Sequence, residues 1–447
     1  MSFDTTLLIS AIRKLCGSSP LWIAYSGGMD SHVLLHLLAS HRQQFPQTIQ
    51  VVHVNHQLQS AASHWVEHCQ RTVEKLQLPF HCLKVNVVNC HEVGMESAAR
   101  AARYQAISQL VGSQGKLLTG QHQQDQAETV MLQLLRGAGV RGLGAMRETS
   151  RWQEMTIIRP LLTISHSALL DYARKHQLTW IEDPSNQDTE INRNFLRHQI
   201  WPALQQRWPA LDQTLCRAAD NLQESQQLLD ELAVGDLQLI AADKATGSVS
   251  ISQLVTLSEP RQRNVLRYFM RSLAMMLPSR KVLQRIQEEV CLAAADAQPE
   301  VTWHHYVARR YQDRLYLALA TPPLMTTATP TLLHDQQPLQ LDSQRKLVWE
   351  ARTGQGLRTD LFAAGIELRY RQGGEKIQLL GKTHHQSLKK LLQQWQVPSW
   401  QRDSIPLLFV KDELVAVVGY GYAESARTET DQTGWLPQIE PVDRGIF

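Results

Sequence analysis

The sequence predicts an α/β protein: an amino-terminal doubly wound parallel sheet, then a helical domain and a small α+β domain. Between residue 21 and about 165, short apolar runs alternate with longer stretches of 3.6-residue apolar periodicity, which is typical of a parallel sheet flanked by helices. From about Asn194 to residue 295 the periodicity is almost entirely helical. Near the carboxyl end, IELRYR, PLLFV and ELVAVVGYGY predict strands around one helix, SLKKLLQQW.

The length of the chain, 447 residues, corresponds to about three domains of roughly 150 residues. We expect domains at 1–208, 209–320 and 346–447, with a proline- and threonine-rich linker at 321–345. No apolar run approaches the roughly 18 residues that would cross a bilayer, and the amino terminus does not resemble a secretory signal. The sequence therefore predicts a cytoplasmic protein that does not span a membrane.

Two features of the composition bear on the class of site. The six cysteines never occur at a CxxC spacing, which argues against a disulfide scaffold and a cysteine zinc site. The formal net charge is only +3, but eight basic and three acidic residues between Ile366 and Lys411 give that segment a net charge of +5. The basic character is therefore concentrated near the carboxyl end, where it favours contact with a polyanion.

A glycine-rich turn follows the first predicted strand and precedes an apolar helix. It consists of Ser26, Gly27, Gly28, Met29, Asp30 and Ser31. Glycines let the backbone approach an oxyanion closely, and the free N–H groups and dipole of a helix start favour negative charge. A carboxylate beside a phosphate site is repulsive unless a divalent cation lies between them. We therefore expect magnesium at Asp30.

The motif SGGMDS resembles the signature of the PP-loop ATP pyrophosphatase superfamily, whose members have an adenine nucleotide alpha hydrolase-like fold. The resemblance implies that ATP is cleaved to AMP and pyrophosphate. A Walker A loop is not favoured, because the Gly-Lys-Thr at 381–383 lacks the first glycine of that motif. The alternative is a serine-glycine turn that only caps a helix.

Two other patterns favour no site. The GxGxxG match at 137–142 follows a helical run instead of a strand, so it does not predict a dinucleotide site. The histidine pairs have metal-like spacings but no third ligand in obvious register, so they do not favour zinc; they are His32 and His36, His53 and His56, and His64 and His68.

A second motif, GQHQQDQAET at 120–129, follows the apolar run KLLTG, where a parallel strand is expected to end. Asp125 and Glu128 lie on adjacent turns at a helix start and would hold a cation or an ammonium group, or else only cap the helix. Together with LLRGAGVRGL, this segment resembles the tRNA(Ile)-lysidine synthases, whose pattern is close to HHxDDQAETVLxxLLRGxGxxGL. Gln124 departs from that pattern, since it occupies the position of the first Asp.

Further segments extend the resemblance to both ends of the chain: HVNH, ESAARAARY, IRPLL, EDPSNQDTEINRNFLRHQIWPAL and the segment RYRQGGEKIQLLGKTHHQSLKKLLQQWQVPSWQRDSIPLLFV. The resemblance implies a ligase that adenylates the C2 oxygen of the wobble cytidine of a minor isoleucine tRNA. Free L-lysine then replaces AMP to form lysidine, which switches codon and amino-acid specificity from Met (AUG) to Ile (AUA). The implied cofactors are ATP and Mg²⁺.

The resemblance also suggests roles for single residues. Asp125 and Glu128 would bind magnesium or lysine, and Arg103 and Arg193 would lie near the reacting phosphates. Arg197, four residues after Arg193, would contact tRNA. The alternative for these arginines is a solvated position on a helix face.

The carboxyl-terminal basic segment has the residue types that bind a single-stranded loop, because cations are interleaved with aromatic side chains. The cations expected to contact tRNA are Lys376, Lys382, Lys389, Lys390 and Arg402. Core tryptophans beside a solvated charged face are the competing interpretation. Arg261, Arg263, Arg267 and Arg271 would extend a basic stripe on the helical domain, on weaker grounds.

Two rival functions stay open at this point. A tRNA thiolase would also use SGGxDS, but thiolases of this superfamily generally have paired cysteines. An RNA-binding protein with a degenerate nucleotide fold would leave the intact loop and acidic helix unexplained. The sequence predicts no oligomeric state.

Overall fold

The computed structural model describes residues 4–55, 62–85, 95–294, 297–320, 330–342 and 345–441. The chain forms two compact units, Met1–Leu229 and Asp230–Phe447. No helix of the described residues combines the length and the apolar character needed to cross a membrane.

The first unit contains a six-stranded sheet. Its strands are β1 (Leu21–Ala24), β2 (Ile49–Asn55), β3 (Phe80–Lys84), β4 (Lys116–Leu118), β5 (Thr149–Trp152) and β6 (Met155–Ile158). The strand order is β3-β2-β1-β4-β6-β5, with all neighbours parallel except β5 and β6. The order reverses direction between β1 and β4, and open α/β sheets bind ligands outside the strand ends at such a point.

Helices cover both faces of this sheet. They are α1 (Thr5–Cys16), α2 (Met29–Ser40), α3 (Ala62–Lys75), α4 (Met95–Val111), α5 (Gln123–Leu135), α6 (Val140–Leu143), α7 (His166–Lys175), α8 (Asn192–Phe195) and α9 (Trp201–Arg207). Ile23 of β1 is buried in the cluster that includes α2 and α7, whereas its neighbour Trp22 is buried in the cluster with Tyr104 of α4. Because successive side chains of a strand point to opposite faces, both faces carry a core, and the predicted doubly wound sheet is confirmed.

The helix α10 (Leu211–Leu239) begins in the first unit and ends in the second. The predicted helical region continues with α11 (Ile251–Leu254), α12 (Glu259–Ser272) and α13 (Arg280–Arg285). It also contains an antiparallel sheet, β7-β10-β9-β8, made of β7 (Ser248–Ser250), β8 (Glu300–Trp303), β9 (Tyr306–Tyr311) and β10 (Arg314–Leu319). These strands were missed although Val301 and Trp303 alternate with exposed residues, which is the period-two signal of a half-buried strand.

The carboxyl-terminal part has the predicted α+β character. Its strands are β11 (Thr331–Leu333), β12 (Leu339–Gln340), β13 (Arg345–Thr353), β14 (Leu357–Arg358), β15 (Ile366–Arg369), β16 (Lys376–Ile377), β17 (Gln386–Ser387), β18 (Leu407–Val410), β19 (Glu413–Val417), β20 (Gly421–Tyr422) and β21 (Thr433–Pro441). Its helices are α14 (Asp360–Ala364), α15 (Leu388–Gln394) and α16 (Ser399–Arg402). The sheets have the orders β11-β15-β18-β19-β20, β12-β13-β21-β14 and β16-β17.

The predicted linker at 321–345 needs a correction. Residues 321–329 lie outside the described residues, but β11 pairs with β15 and β12 pairs with β13. Leu333 is buried in the carboxyl-terminal core. The proline- and threonine-rich composition led to the prediction of a linker. Proline is nevertheless tolerated at strand ends and sheet edges, so such a composition is compatible with short strands.

Candidate active site

The glycine-rich turn lies at the carboxyl end of β1 and at the start of α2. Gly27 has φ +90°, a conformation that L side chains rarely adopt, and a Cβ there would lie 3.0 Å from Cys69 Sγ. The Gly27 carbonyl accepts the backbone N–H of Ile181 at 3.0 Å, and Gly28 is the N-cap of α2. The turn is therefore fixed by its surroundings, with the positive end of the helix dipole at its centre.

Two serine hydroxyls tie the ends of the turn together. Ser31 Oγ donates to the Gly28 carbonyl at 2.9 Å and accepts the backbone N–H of Ser26 at 3.2 Å. Ser26 Oγ lies 3.1 Å from Ser31 Oγ and accepts the Gly28 N–H at 3.3 Å. These bonds fix the shape of the turn, and the backbone N–H groups at the start of α2, which have no acceptor within the helix, are the donors that would bind phosphate oxygens.

The end of β4 packs directly against this turn. A Cβ at Gly120 would lie 2.9 Å from the backbone nitrogen of Ser31, so only glycine allows the approach. As a result, both motifs line one cavity of about 360 Å³. Its walls include six residues of the predicted set, namely Ser26, Gly28, Asp30, Ser31, Arg103 and Asp125. The wall residues Asn55, Trp65 and Tyr104 were not predicted as site residues, although Asn55 and Tyr104 lie in the segments HVNH and ESAARAARY.

His122 lies between the two carboxylates of the site. Its Nε2 is 3.7 Å from Asp30 Oδ2 and 3.6 Å from Asp125 Oδ2. Its Nδ1 accepts the backbone N–H of Gln124 at 3.2 Å, so in the neutral imidazole the proton is on Nε2 and faces both carboxylates. His122 is buried and was missed as a site residue, although its position beside Asp125 in the motif was a usable signal.

The electrostatics of Asp30 favour a bound cation. Burial raises the pKa of the Asp30 carboxyl; the imidazole of His122 opposes this shift and the Asp125 carboxylate adds to it. Asp30 Oδ1 is buried and accepts no hydrogen bond within the described part of the chain. Asp30, His122 and His166 have ligand atoms within 4.8 Å of one another. Because the proton of neutral His122 is on Nε2, the remaining donors are the carboxylate oxygens, which suit Mg²⁺, and an imidazole nitrogen of His166.

Glu128 is completely buried and does not line the cavity. Arg197 donates to both of its oxygens, from Nε to Oε1 at 2.7 Å and from Nη2 to Oε2 at 2.8 Å. Arg197 Nη2 also donates to Asp125 Oδ1 at 3.2 Å, and Gln124 Nε2 donates to Glu128 Oε1 at 3.2 Å. Glu128 and Arg197 therefore bind each other, and the ligand role predicted for Glu128 and the tRNA contact predicted for Arg197 stay predictions.

This arrangement also fixes the charge state of Arg197. Burial alone lowers the pKa of its guanidinium, but the hydrogen bonds and charge of Glu128, with the charge of Asp125, raise the pKa above its ordinary value. Arg193 lies next to the same pair: its Nη2 donates to Thr129 Oγ1 at 2.9 Å, and its Nε is 3.8 Å from Glu128 Oε2. Arg193 Nε itself is buried without a hydrogen-bond partner within the described residues.

The carboxyl-terminal cations all belong to the second unit. Lys376, Lys382, Lys389 and Lys390 are exposed, as a phosphate-contacting surface requires. Arg402 is different, because it is half-buried and its Nε donates to the Val397 carbonyl at 2.9 Å while its Nη2 donates to Tyr311 Oη at 3.0 Å. These bonds give Arg402 a packing role, and its tRNA contact stays a prediction.

In the described part of the chain, three of the paired histidines bond to groups of the fold, and the GxGxxG match lies between two helices. His32 Nδ1 bonds to the Thr179 carbonyl, His36 Nδ1 to Tyr172 Oη and His53 Nδ1 to the Tyr25 carbonyl. His56 lies outside the described residues. The segment 137–142 follows α5 and includes the start of α6, so it lacks the strand that a dinucleotide site needs.

Comparison with known proteins agrees with this geometry. Residues 5–204 match the family model of a PP-loop domain. Residues 249–316 match the TilS substrate binding domain, and residues 366–440 match the TilS substrate C-terminal domain. The fold and the site therefore define a PP-loop enzyme that uses ATP.

Relatives that match over nearly the full length of the chain identify the family within this class of enzyme. The chain is 39% identical over 442 residues to a tRNA(Ile)-lysidine synthase of Coxiella burnetii, covering 98% of this chain and 97% of the relative. It is 40% identical to that of Serratia proteamaculans and 38% identical to that of Legionella pneumophila (strain Paris), in both cases over 95% of this chain and 96% of the relative. The chain belongs to the tRNA(Ile)-lysidine synthase family. These relatives do not favour the thiolase alternative.

Proposed function

We propose that this protein is a cytoplasmic ligase that converts the wobble cytidine of a minor isoleucine tRNA to lysidine. It would adenylate the C2 oxygen of the cytosine with ATP and then exchange AMP for free L-lysine. The observation that carries the proposal is that the Ser26–Ser31 turn and Asp125 line one cavity at the point where the strand order reverses.

The first step forms a bond between the cytosine C2 oxygen and the α-phosphorus of ATP and breaks the bond to the bridging oxygen, so pyrophosphate leaves. Negative charge then grows on the leaving oxygens. The backbone N–H groups at the start of α2 meet that charge, because the hydrogen bonds of Ser26 and Ser31 within the turn fix its shape. We assign the pyrophosphate to this turn.

Asp30 and Asp125 are the residues that would hold Mg²⁺, since Asp30 has an orphaned buried oxygen and both carboxylates face His122. A bound Mg²⁺ neutralises phosphate charge and so lowers the barrier to nucleotidyl transfer. His122 keeps the two carboxylates on either side of its Nε2–H, which reduces their repulsion. We assign it a positioning role.

In the second step a neutral amine of lysine attacks C2, the bond from C2 to oxygen breaks, AMP leaves with that oxygen, and the nitrogen loses one proton. A carboxylate would accept that proton, and Asp125 is the half-buried acid that reaches the cavity. Glu128 would position Asp125 through Arg197, which donates to both carboxylates. This replaces the direct magnesium or lysine role that the sequence suggested for Glu128.

Arg103 would face phosphate in the cavity that it lines, and Arg193 of α8, which donates to Thr129 of the second motif, would act near that phosphate. Burial lowers the pKa of the Arg103 guanidinium; Tyr104 opposes this shift, and the charge of the neighbouring Arg100 adds to it. A bound polyphosphate would therefore stabilise the charged form of Arg103. The exposed lysines at 376, 382, 389 and 390 would contact the tRNA backbone.

The test supplies radiolabelled L-lysine, ATP and an isoleucine tRNA with a cytidine at the wobble position. The proposal predicts that label enters the RNA, that ATP is required, and that AMP and pyrophosphate are released in equal amounts. The matched control is a transcript in which that cytidine is replaced by uridine, which should take up no label. Incorporation of label into both transcripts would contradict the proposal.

A further inference from the structure

Tyr104 of α4 belongs both to the apolar core and to the wall of the active-site cavity. It is 4% exposed and is buried between α4 and the sheet, where the centre of its ring lies 5.3 Å from that of Trp152. It also lines the cavity that the Ser26–Ser31 turn lines, next to Arg103. Phenylalanine would fill the core equally well, so the hydroxyl group needs a separate explanation.

Arg159 is a buried cation beside Tyr104. It directly follows β6, is 6% exposed, and forms no ion pair with a carboxylate within the described ranges. Its Nη1 donates to the Arg147 carbonyl at 2.8 Å and to Ser150 Oγ at 2.9 Å, but its Nε is buried without an acceptor among the described residues. Because a buried charge without a counter-charge is costly, this arginine needs a reason beyond packing.

The Arg159 guanidinium acts on the Tyr104 hydroxyl. Burial lowers the pKa of Arg159; Tyr104 opposes this shift, in part through a hydrogen bond, and the charge of Arg100 adds to it. A guanidinium has only donors, so Tyr104 Oη is the acceptor in that bond. The proton of the hydroxyl stays available for a second acceptor, and the cation at its oxygen makes it a stronger donor.

The neighbours of Tyr104 are rich in positive charge and in hydrogen-bond donors. The guanidinium of Arg100 lies 5.0 Å from the centre of the Tyr104 ring, and Arg103 is the preceding residue. Trp152 Nε1, like Arg159 Nε, is a buried donor without an acceptor in the part of the chain that the structure describes. A group with several acceptor oxygens therefore suits this wall.

The carboxylates of the cavity do not balance these cations. Asp30 and Asp125 also line it, but neither is among the groups that shift the pKa of Arg103 or of Arg159. Both instead raise the pKa of Arg197. The cavity therefore has an acidic side, which suits a cation, and an arginine side, which suits an anion.

We propose that the Tyr104 hydroxyl donates a hydrogen bond to a non-bridging oxygen of the phosphate that is transferred, and that Arg159 positions this hydroxyl. The inference rests on the proposed nucleotidyl transfer and adds a side-chain donor to the amides of the glycine turn. A donor aimed at charge that develops in the transition state raises the rate and leaves ground-state binding almost unchanged.

The experiment compares tRNA-dependent exchange of labelled pyrophosphate into ATP for the full-length wild type and Tyr104→Phe, which keeps the ring and removes the hydroxyl. The exchange kcat should fall about tenfold to a hundredfold, with little change in the KM for ATP. The matched control is Tyr172→Phe, whose hydroxyl lies 3.0 Å from His36 Nδ1 and is outside this cavity. It should exchange at the wild-type rate.

Two outcomes of this comparison would overturn the inference: equal exchange by the wild type and Tyr104→Phe, or a change confined to the KM for ATP. The proposed function has a separate readout, because it requires the wild type itself to exchange pyrophosphate. Absence of exchange in the wild type would contradict the proposed function and remove the basis of this inference with it.

Two further measurements distinguish the hydroxyl role from packing. Sulfur at a non-bridging position of the α-phosphate accepts a hydrogen bond weakly, so one of the two diastereomers of this ATP analogue should slow the wild type more than Tyr104→Phe. Arg159→Lys keeps the charge and should retain more exchange than Arg159→Met, and both should have little further effect in Tyr104→Phe. Equal sensitivity of the wild type and Tyr104→Phe to both diastereomers, or additive losses in the double variants, would overturn the inference.

Discussion

Arg197 Nε lies 2.7 Å from Glu128 Oε1, and its Nη2 lies 2.8 Å from Glu128 Oε2, so the two side chains form a bidentate ion pair. Glu128 is fully buried, whereas about a third of the Arg197 side chain is exposed. The same Nη2 also reaches Asp125. The pair therefore links the interior of α5 to the carboxylate that lines the cavity.

Breaking this pair should destabilise the first unit and disorder Asp125. Glu128→Gln leaves Arg197 with an unbalanced partly buried charge, and removing one partner of a buried pair typically costs about 3–5 kcal/mol. Urea unfolding measures this loss. In a double-mutant cycle with Arg197→Gln, the two effects should be coupled by about 1–3 kcal/mol. Simple additivity would show that the two side chains do not act together.

The turn should not tolerate a side chain at Gly27. Gly27→Ala forces a non-glycine residue to φ +90° and brings a Cβ to 3.0 Å from Cys69 Sγ, so we expect about 1–3 kcal/mol of lost stability and loss of ATP/PPi exchange. Gly112→Ala is the control, because Gly112 has φ +66° with no atom within 4 Å of its added Cβ. Retained exchange in Gly27→Ala would mean that the turn does not hold pyrophosphate.

Lys389 and Lys390 should affect binding and not folding. Both are exposed at the start of α15, so Lys389→Gln/Lys390→Gln should lower tRNA affinity and flatten its salt dependence, with little change in the melting temperature. Arg402→Gln should instead lower the melting temperature with little change in tRNA affinity, because it removes the bonds to Val397 and Tyr311. Equal salt slopes for the wild type and the lysine variant would move the tRNA contact elsewhere.

Asp30 should be needed for chemistry but not for tRNA binding. Asp30→Asn keeps the shape of the side chain and removes the charge that would hold Mg²⁺. ATP/PPi exchange in the presence of tRNA should fall at least about a hundredfold, because the phosphate charge in the transition state loses its counter-charge. Filter binding of tRNA should change little. Exchange at the wild-type rate would exclude the metal role of Asp30.

The sequence predicted the parts of this protein that depend on local pattern. Alternating strands and helices identified the doubly wound sheet, and the loop at Ser26 is defined by glycine geometry that acts within a few residues. Contacts between distant segments were not predictable in the same way. Nothing in the spacing of Glu128 and Arg197 indicated that they form a pair, and the contact of Arg402 with Tyr311 joins residues 91 positions apart.

The carboxyl-terminal strands show the same limit. Leu333 and its neighbours form β11 only because β15 offers an edge with which to pair, and a three-residue strand has too little pattern to stand out. His122 is an intermediate case. It lies within the second motif, but its position between Asp30 and Asp125 depends on the contact between β4 and the glycine turn.

The most direct test of the central claim follows the phosphates of ATP onto tRNA when no lysine is present. ATP labelled at the α-phosphate, and separately at the γ-phosphate, is incubated with the protein and the cytidine-anticodon isoleucine tRNA. Transfer of AMP predicts that only the α-label becomes attached to the RNA and that added lysine releases it as AMP. Attachment of the γ-label, or of neither label, would contradict nucleotidyl transfer from the Ser26–Ser31 turn.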